Sequence, residues 1–230
     1  MSGVSMHQIY DLLSKPFRIV DISQPIKSDT ACFPGDTPFS REVTVSYEQS
    51  NVINLTALKM SPHVGTHVDA PVHVRGSMTG EQETAGTMPL DAFIGPAEVI
   101  DIAPFVGAIK PEHVEKHLKT EAVRLLIRTS HQLRYHVFEE SYSFLSTELV
   151  EWLAKRGTRL VGLDSPSVDH IESKTLCAHH SLLAKDIYWL ENLDLTAAAC
   201  GEYFLVAAPL KFMELEASPV RALLLDWSVN

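Results

Sequence analysis

The sequence has few cysteines, no long apolar run and little positive charge. Three cysteines in 230 residues are too few for a disulfide framework, so we expect free thiols and a cytoplasmic protein. No apolar run approaches the roughly 20 residues that cross a bilayer, and the N-terminal segment does not resemble a signal peptide. Lys and Arg total 19 against 29 Asp and Glu, a formal charge of −10. This excess of acid argues against nucleic acid or an anionic membrane as a partner.

Strand-forming segments outnumber helical ones. Ser146, followed by an apolar stripe, predicts a capped helix over 147–156 with Gly157 directly after it. Pro111 predicts the start of a second helix that continues to about Lys119. Without a Gly/Ser linker or a repeat, we expect a single α/β domain over 1–230 that has more strand than helix. Eight segments rich in β-branched and aromatic residues predict strands: 18–22, 42–47, 52–60, 97–102, 123–129, 159–163, 203–208 and 222–227.

Eleven histidines are the unusual feature of the composition, and three of them lie close together. His63, His67, Asp69 and His73 fall at even spacings, which places them on one face of an extended chain. Four residues of strand span about 13 Å, whereas two ligands of one ion must each come within about 2 Å of it. The chain must therefore bend between His63 and His67, and Gly65 permits that bend. Imidazole and carboxylate together suit a divalent metal, zinc better than manganese or iron.

A second group, His179 and Glu191, is a weaker candidate. The two residues are twelve positions apart, so they cannot share one face of a single helix. A short helix, a bend near Asp186 and an extended stretch would bring them together. A carboxylate such as Asp69 that bridges two ions would give them a role, since paired metals in hydrolytic sites lie about 3.5–4 Å apart. The spacing leaves two unrelated surface residues as an equal alternative.

The segment from His63 to His73, H-x-G-T-H-x-D-A-P-x-H, resembles the signature of the metal-dependent cyclase-like hydrolases. F-P-G-D-T-P-F at 33–39 and A-S-P-V-R-A at 217–222 resemble the arylformamidase branch of that family, and the likeness extends over nearly all of 18–226. The resemblance implies a strand-rich swivelling β/β/α-type fold and a homodimer. It also implies a small-molecule substrate, N-formyl-L-kynurenine, which is hydrolysed to L-kynurenine and formate.

The resemblance also implies a ligand set for two metal ions. His63, His67 and Asp69 would hold the first ion, and the second would share Asp69 and add His179 and Glu191. Two zinc ions per subunit are expected, with manganese, iron or cobalt as alternatives.

Two further roles follow from the same resemblance. His73 would be the general acid/base, and its ordinary pKa of about 6.5 suits that task. Phe33 stands where the family usually has Trp and would touch the substrate. Trp189 could extend this aromatic wall, although packing in the core is the interpretation we favour.

Other functions remain open at this point. A family member that opens a cyclic amide such as isatin would share the metal motif, so only Phe33 and the A-S-P-V-R-A stretch argue against it. A non-catalytic metal-binding protein would need the ligands but not His73. A serine hydrolase is disfavoured because the chain has no G-x-S-x-G motif.

Overall fold

The computed structural model describes residues 14–76 and 83–227, which form thirteen strands and five α-helices. Three 3-10 turns lie at Pro71–His73, Ala85–Thr87 and Glu115–His117. The helices are α1 Tyr47–Ser50, α2 Leu90–Phe93, α3 Pro111–Val114, α4 Thr147–Lys155 and α5 Cys177–Ala184. The strands are β1 Arg18–Asp21, β2 Ser40–Val45, β3 Leu55–Lys59, β4 His67–Asp69, β5 Ile94–Asp101, β6 Gly107–Ile109, β7 Arg124–Arg128, β8 Ser143–Leu145, β9 Leu160–Leu163, β10 Tyr188–Glu191, β11 Gly201–Val206, β12 Ala217–Pro219 and β13 Leu223–Asp226.

Nine strands form one mixed sheet in the order β1-β13-β11-β5-β7-β9-β10-β4-β12. The four middle strands, from β5 to β10, run parallel, and the flanking strands pair antiparallel. In such sheets ligands bind beyond the carboxyl ends of the parallel strands. Thr129, Asp164 and Glu191 occupy those ends on β7, β9 and β10 and therefore mark where a site is expected.

Each face of the sheet buries its own apolar core. Helices α4 and α5 cover one face, where Leu149 and Leu182 pack in the same cluster as Leu125. On the other face Val20 of β1 and Val68 of β4 belong to one cluster, although their strands lie far apart in the sheet order. The sheet curls, because the chain just after β1 meets the chain just after β10: the Asp194 N–H donates to the Ile22 carbonyl at 2.8 Å, and Ser23 pairs with Leu193. The predicted strand-rich α/β architecture is therefore confirmed.

Most of the predicted elements are present. Each of the eight predicted strand segments overlaps an observed strand. Helix α4 begins as predicted, because the Ser146 hydroxyl accepts a hydrogen bond from the Leu149 N–H at 3.1 Å. Gly157 adopts φ +78° after the helix ends, a conformation that glycine reaches without steric cost.

The prediction of a long helix from Pro111 to Lys119 is wrong. The α-helical part ends at Val114 and a 3-10 turn follows over Glu115–His117. The buried Glu98 carboxylate on β5 accepts hydrogen bonds from the N–H groups of Lys119 and Thr120, at 2.6 and 3.0 Å. A buried carboxylate requires such partners, so this long-range contact outweighs helix propensity.

A hairpin of β2 and β3 stands apart from the large sheet. The β3 residues are all exposed, as are those of β2 except the half-exposed Val45. Val43 and Leu58 lie on one face of the hairpin and are 48% and 68% exposed. No helix in the described ranges has the length and apolarity to span a bilayer.

Candidate metal centre

The local fold gathers the histidine-rich segment around one strand. Gly65 adopts φ +72° and makes the predicted bend between His63 and His67. β4 then carries His67 and Asp69, whose side chains point the same way because they are two residues apart. A 3-10 turn ends at His73 and returns that ring toward Asp69. The segment is therefore extended only over 67–69, and turns on both sides bring its outer histidines back.

Sheet register brings in the distant group. β4 pairs antiparallel with β10, and in this pairing Glu191 is opposite His67. His179 lies in α5, and the chain reverses at Asp186, which has φ +54°, before β10 begins. The structure thus brings His179 and Glu191 beside Asp69, whereas the neighbouring His180 is exposed.

Asp69 lies at the centre of the cluster. Its Oδ1 is 2.9 Å from His63 Nδ1 and 3.4 Å from His67 Nε2. Its Oδ2 is 3.5 Å from His179 Nε2 and 3.9 Å from His73 Nε2. Asp69, His67 and His179 are almost completely buried, while His73 is partly open to the cavity.

The hydrogen bonds of His67 leave a lone pair facing carboxylates. Its Nδ1 is 2.9 Å from the Gly65 carbonyl oxygen, which can only accept, so Nδ1 carries the hydrogen. In the neutral ring Nε2 then faces Asp69 Oδ1 and Glu191 Oε2, the latter at 3.3 Å. His67 Nε2 and Asp69 Oδ1 are buried and have no hydrogen-bond partner among the residues the structure describes. Unpartnered acceptors that face one another are the donor set a cation requires, so these residues fit a divalent metal.

Asp169 orients His179 in the same way. His179 Nδ1 donates to Asp169 Oδ2 at 2.6 Å, which leaves Nε2 facing Asp69 and Glu191. The Asp169 carboxylate also accepts from the backbone N–H groups of Ala178 and His179, both at 3.0 Å. One carboxylate thus caps α5 and fixes the ring, as outer carboxylates do for metal-binding histidines.

Two groups of potential ligand atoms share Asp69. One joins His63, Asp69 and His73, and the other joins His67, Asp69 and Glu191, with all ligand atoms of a group within 4.8 Å of one another. Both arrangements agree with Asp69 as a bridge. His73 lies near enough to be a ligand as well as a proton carrier, and the metal content of variants separates the two roles.

Without a metal, the carboxylates hold protons on the inner histidines. Burial opposes the charged rings, but Asp69 outweighs it and raises the pKa of His63 to about 11. Burial opposes the charged forms of His67 and His179 too, but their neighbouring carboxylates outweigh it and raise the pKa of His67 to about 9 and that of His179 to about 10. Burial lowers the pKa of His73, because Asp69 compensates less there.

Three polar partners of the cluster were not anticipated from the sequence. The Asp169 carboxylate is one. The buried Trp189 donates its indole N–H to Asp69 Oδ2 at 3.1 Å, so this residue belongs to the core, as favoured above, and cannot stack on a substrate. Glu216 Oε1 is 3.6 Å from His63 Nε2. Asp169 carried no local sequence signal, because it lies eight residues before Cys177 and caps α5 only through the fold of the intervening loop.

A cavity of about 950 Å³ opens onto the cluster. Phe33 lies in its lining and is 36% exposed. Phe138 packs edge-on against Phe33 with ring centroids 5.3 Å apart, and Tyr142 packs edge-on against Phe138 at 6.5 Å. The cavity thus combines a polar cluster with a row of three aromatic rings, a composition suited to an aryl ligand.

A curled strand-rich sheet with a buried His/Asp/Glu cluster that opens onto a cavity is an arrangement suited to a metal-dependent enzyme. A family model described as putative cyclase matches residues 20–170, and the chain belongs to this cyclase family. The chain is 40% identical to the kynurenine formamidase of Bordetella avium (strain 197N) over 207 residues, which cover 90% of this chain and 97% of the relative. It is also 40% identical to the kynurenine formamidase of Bacillus thuringiensis (strain Al Hakam), with 89% and 96% covered.

Solved structures share the fold. Isatin hydrolase A from Labrenzia aggregata superposes with a TM-score of 0.80 at 24% identity, covering 98% of this chain and 100% of that one. A protein from Bacillus stearothermophilus described as a predicted metal-dependent hydrolase gives a TM-score of 0.76 at 25% identity, covering 92% of this chain and 99% of that one. The family membership predicted from the histidine motif is confirmed.

Metal binding should release protons from the cluster. Ions must displace the protons that Asp69 and Glu191 hold on His63, His67 and His179, since ligating imidazoles are unprotonated. Titration of the metal-free protein with Zn²⁺ near pH 7 should therefore release about one proton for each of these histidines that becomes a ligand. Calorimetry in buffers of different ionisation enthalpy measures this number. Equal heats in all buffers would show that the cluster is unprotonated before binding and would contradict the assigned pKa directions.

Substitution should separate the ligands from His73. Asp69→Ala removes the shared carboxylate and should abolish metal retention through gel filtration. His73→Ala should retain the metal, and elemental analysis measures both. His180→Ala, which changes an exposed neighbour of His179, is the matched control and should behave as the unchanged protein. Loss of metal from His73→Ala with retention in Asp69→Ala would reverse the two roles.

Proposed function

We propose that this chain is a metal-dependent arylformamidase that hydrolyses N-formyl-L-kynurenine to L-kynurenine and formate in tryptophan catabolism. The observation that carries this proposal is the 40% identity to kynurenine formamidases over nearly their whole length. The cavity agrees with it, because it joins a cluster suited to metal with the aromatic row of Phe33, Phe138 and Tyr142.

His63, His67, Asp69, His179 and Glu191 are the residues we assign to metal binding. Bound divalent metal lowers the pKa of water toward neutrality and polarises a carbonyl oxygen. We propose two zinc ions per subunit, because two groups of ligand atoms share one carboxylate and the donors are imidazole and carboxylate. Metal analysis of protein purified without chelator tests the number and the element.

His73 is the proposed proton carrier. As the water oxygen adds to the formyl carbon, His73 Nε2 accepts the proton that the water loses. An anilide nitrogen leaves poorly unless it is protonated, so His73 then returns this proton to the nitrogen as the carbon–nitrogen bond breaks. The products are the free aryl amine and formic acid, which gives up its proton to solvent as formate at neutral pH. Support for this role comes from the position of His73 in the cavity lining, with its Nε2 3.9 Å from Asp69 Oδ2.

The alternative of a cyclic amide substrate such as isatin has weaker support. The isatin hydrolase resemblance is at 24% identity and therefore concerns the fold alone. Either substrate could stack on the aromatic wall of Phe33 and Phe138. A direct comparison of the hydrolysis rates of the two substrates therefore decides between these functions.

Purified protein should hydrolyse N-formyl-L-kynurenine much faster than isatin, as followed by the absorbance of L-kynurenine. Chelator should abolish the activity and added Zn²⁺ should restore it. His73→Ala should lower kcat about 10²–10⁴-fold, the range typical of a general acid/base. His180→Ala should have the same kcat as the unchanged protein. Preferential hydrolysis of isatin would refute the formamidase assignment, and activity that survives complete removal of metal would refute the mechanism.

We also propose that the chain is one domain over 1–230, acts in the cytoplasm and forms a homodimer. Support for the dimer comes from the β2–β3 hairpin, because an isolated two-stranded hairpin is only marginally stable in water. Val43 and Leu58 form an exposed apolar strip on one face of that hairpin, which a second copy of the chain would cover.

Disruption of this strip should yield a monomer. The double variant Val43→Glu, Leu58→Glu should elute at a mass near 25.5 kDa, while the unchanged protein should elute at twice that mass. Leu90→Glu alters a residue that is 55% exposed elsewhere and is the matched control. Light scattering coupled to gel filtration measures the masses, and a double variant that remains dimeric would place the interface on another surface.

A further inference from the structure

The cavity has a charged rim beside its aromatic row. Two chain segments, 31–36 and 130–142, supply Phe33, Phe138 and Tyr142, and a backbone hydrogen bond from Ala31 N to Tyr135 O at 2.8 Å joins the segments. The second segment also contributes Arg134 and Glu139 to the cavity lining. These charges therefore lie on the same wall segment as the rings proposed to hold an aryl group.

Arg134 is the sole Lys or Arg among the described residues that line the cavity. Six carboxylates share that lining, and the chain carries a formal charge of −10. An anionic ligand group entering this cavity is repelled by those of the six carboxylates that neither metal nor a protonated histidine neutralises. Arg134 is consequently the natural partner for a carboxylate on the ligand. The six acidic lining residues are Asp36, Asp69, Glu139, Asp164, Glu191 and Glu216.

The partner of Arg134 in the free protein is easily exchanged. Its Nη1 donates to Glu139 Oε1 at 2.8 Å, and the side chains are 59% and 50% exposed. Exposed ion pairs of this kind contribute little to stability. The guanidinium has five N–H donors and can bind a carboxylate with two parallel hydrogen bonds. Arg134 can therefore donate to a ligand carboxylate, and Glu139 is then available to bind a cationic group of the ligand.

A buried carboxylate in the same lining, that of Asp164, already has protein hydrogen-bond donors. Asp164 accepts hydrogen bonds from Thr129 N, Thr129 Oγ1 and Ser130 N at 2.8, 2.6 and 2.9 Å. It fixes the start of the 130–142 segment. Glu139, by contrast, accepts one hydrogen bond on Oε1 from the residues that the structure describes and is half exposed, so it is the better acceptor for a ligand ammonium.

We propose that Arg134 and Glu139 form a subsite for a zwitterionic α-amino acid group, with Arg134 on the ligand carboxylate and Glu139 on its ammonium. This inference rests on the proposed function and deepens it, because it explains how an aryl formamide with an amino acid side chain is chosen over a neutral one. The aryl ring would lie against Phe33 and Phe138, between this subsite and the metal cluster.

A pair of substrates tests the subsite. N-formyl-L-kynurenine carries the amino acid group, whereas 2′-formamidoacetophenone has the same aryl formamide and ketone without it. Arg134→Ala should lower kcat/KM for N-formyl-L-kynurenine about 10- to 100-fold through KM, the loss expected for a charged hydrogen-bond pair. Its kcat/KM for the neutral substrate should stay within about twofold of the unchanged protein, which also shows that the variant is folded. Arg134→Lys should recover part of the loss.

Matched variants complete the design. Arg159 forms an exposed ion pair with Asp91 at the same 2.8 Å distance but lies outside the cavity lining. Arg159→Ala should therefore leave kcat/KM unchanged for both substrates. Glu139→Gln should raise the KM for N-formyl-L-kynurenine but not the KM for its analogue that lacks the amino group. An Arg134→Ala variant that handles both substrates as the unchanged protein does, or loses both equally, overturns the subsite while the formamidase assignment stands. Failure of the unchanged protein on both substrates overturns the proposed function and this inference with it.

Discussion

The buried carboxylate of Asp69 is the group on which the rest of the site depends. Burying a charge is costly unless partners compensate for it. Here two imidazoles approach each side of the carboxylate, and the Trp189 indole N–H holds one of its oxygens. The partners come from β4, its flanking turns, α5 and β10, so satisfying this one charge fixes the relative positions of elements that are distant in sequence.

The local part of the site was predictable, whereas its long-range part was not. The bend at Gly65 followed from the reach of metal ligands, and His67 and Asp69 share a face because a strand alternates its side chains. Glu191, however, reaches His67 through the antiparallel pairing of β10 with β4, and spacing of residues cannot reveal a sheet register. Only the family resemblance singled out His179 and Glu191.

The difference between local and long-range interactions also explains the wrong prediction about the fold. α4 begins at Ser146 because its cap is a local interaction. The helix from Pro111 ends early because Glu98, on a different strand, captures two backbone N–H groups. Asp169 and Trp189 were missed as partners of the cluster for an equivalent reason: each acts across a distance of the fold, although Asp169 also caps α5. Turns and caps are encoded nearby, but satisfaction of buried charges is decided by tertiary structure.

The proposed ligand residues extend over a long stretch of the chain, from His63 to Glu191, and their arrangement exists only after β4 has paired with β10. An unfolded chain has no comparable arrangement, so any ion that binds favours the folded state by mass action. If the proposed metal binds, its supply in a cell would therefore influence how much of this polypeptide survives proteolysis, in addition to how fast each folded copy turns over. Starvation for the ion would deplete the protein itself.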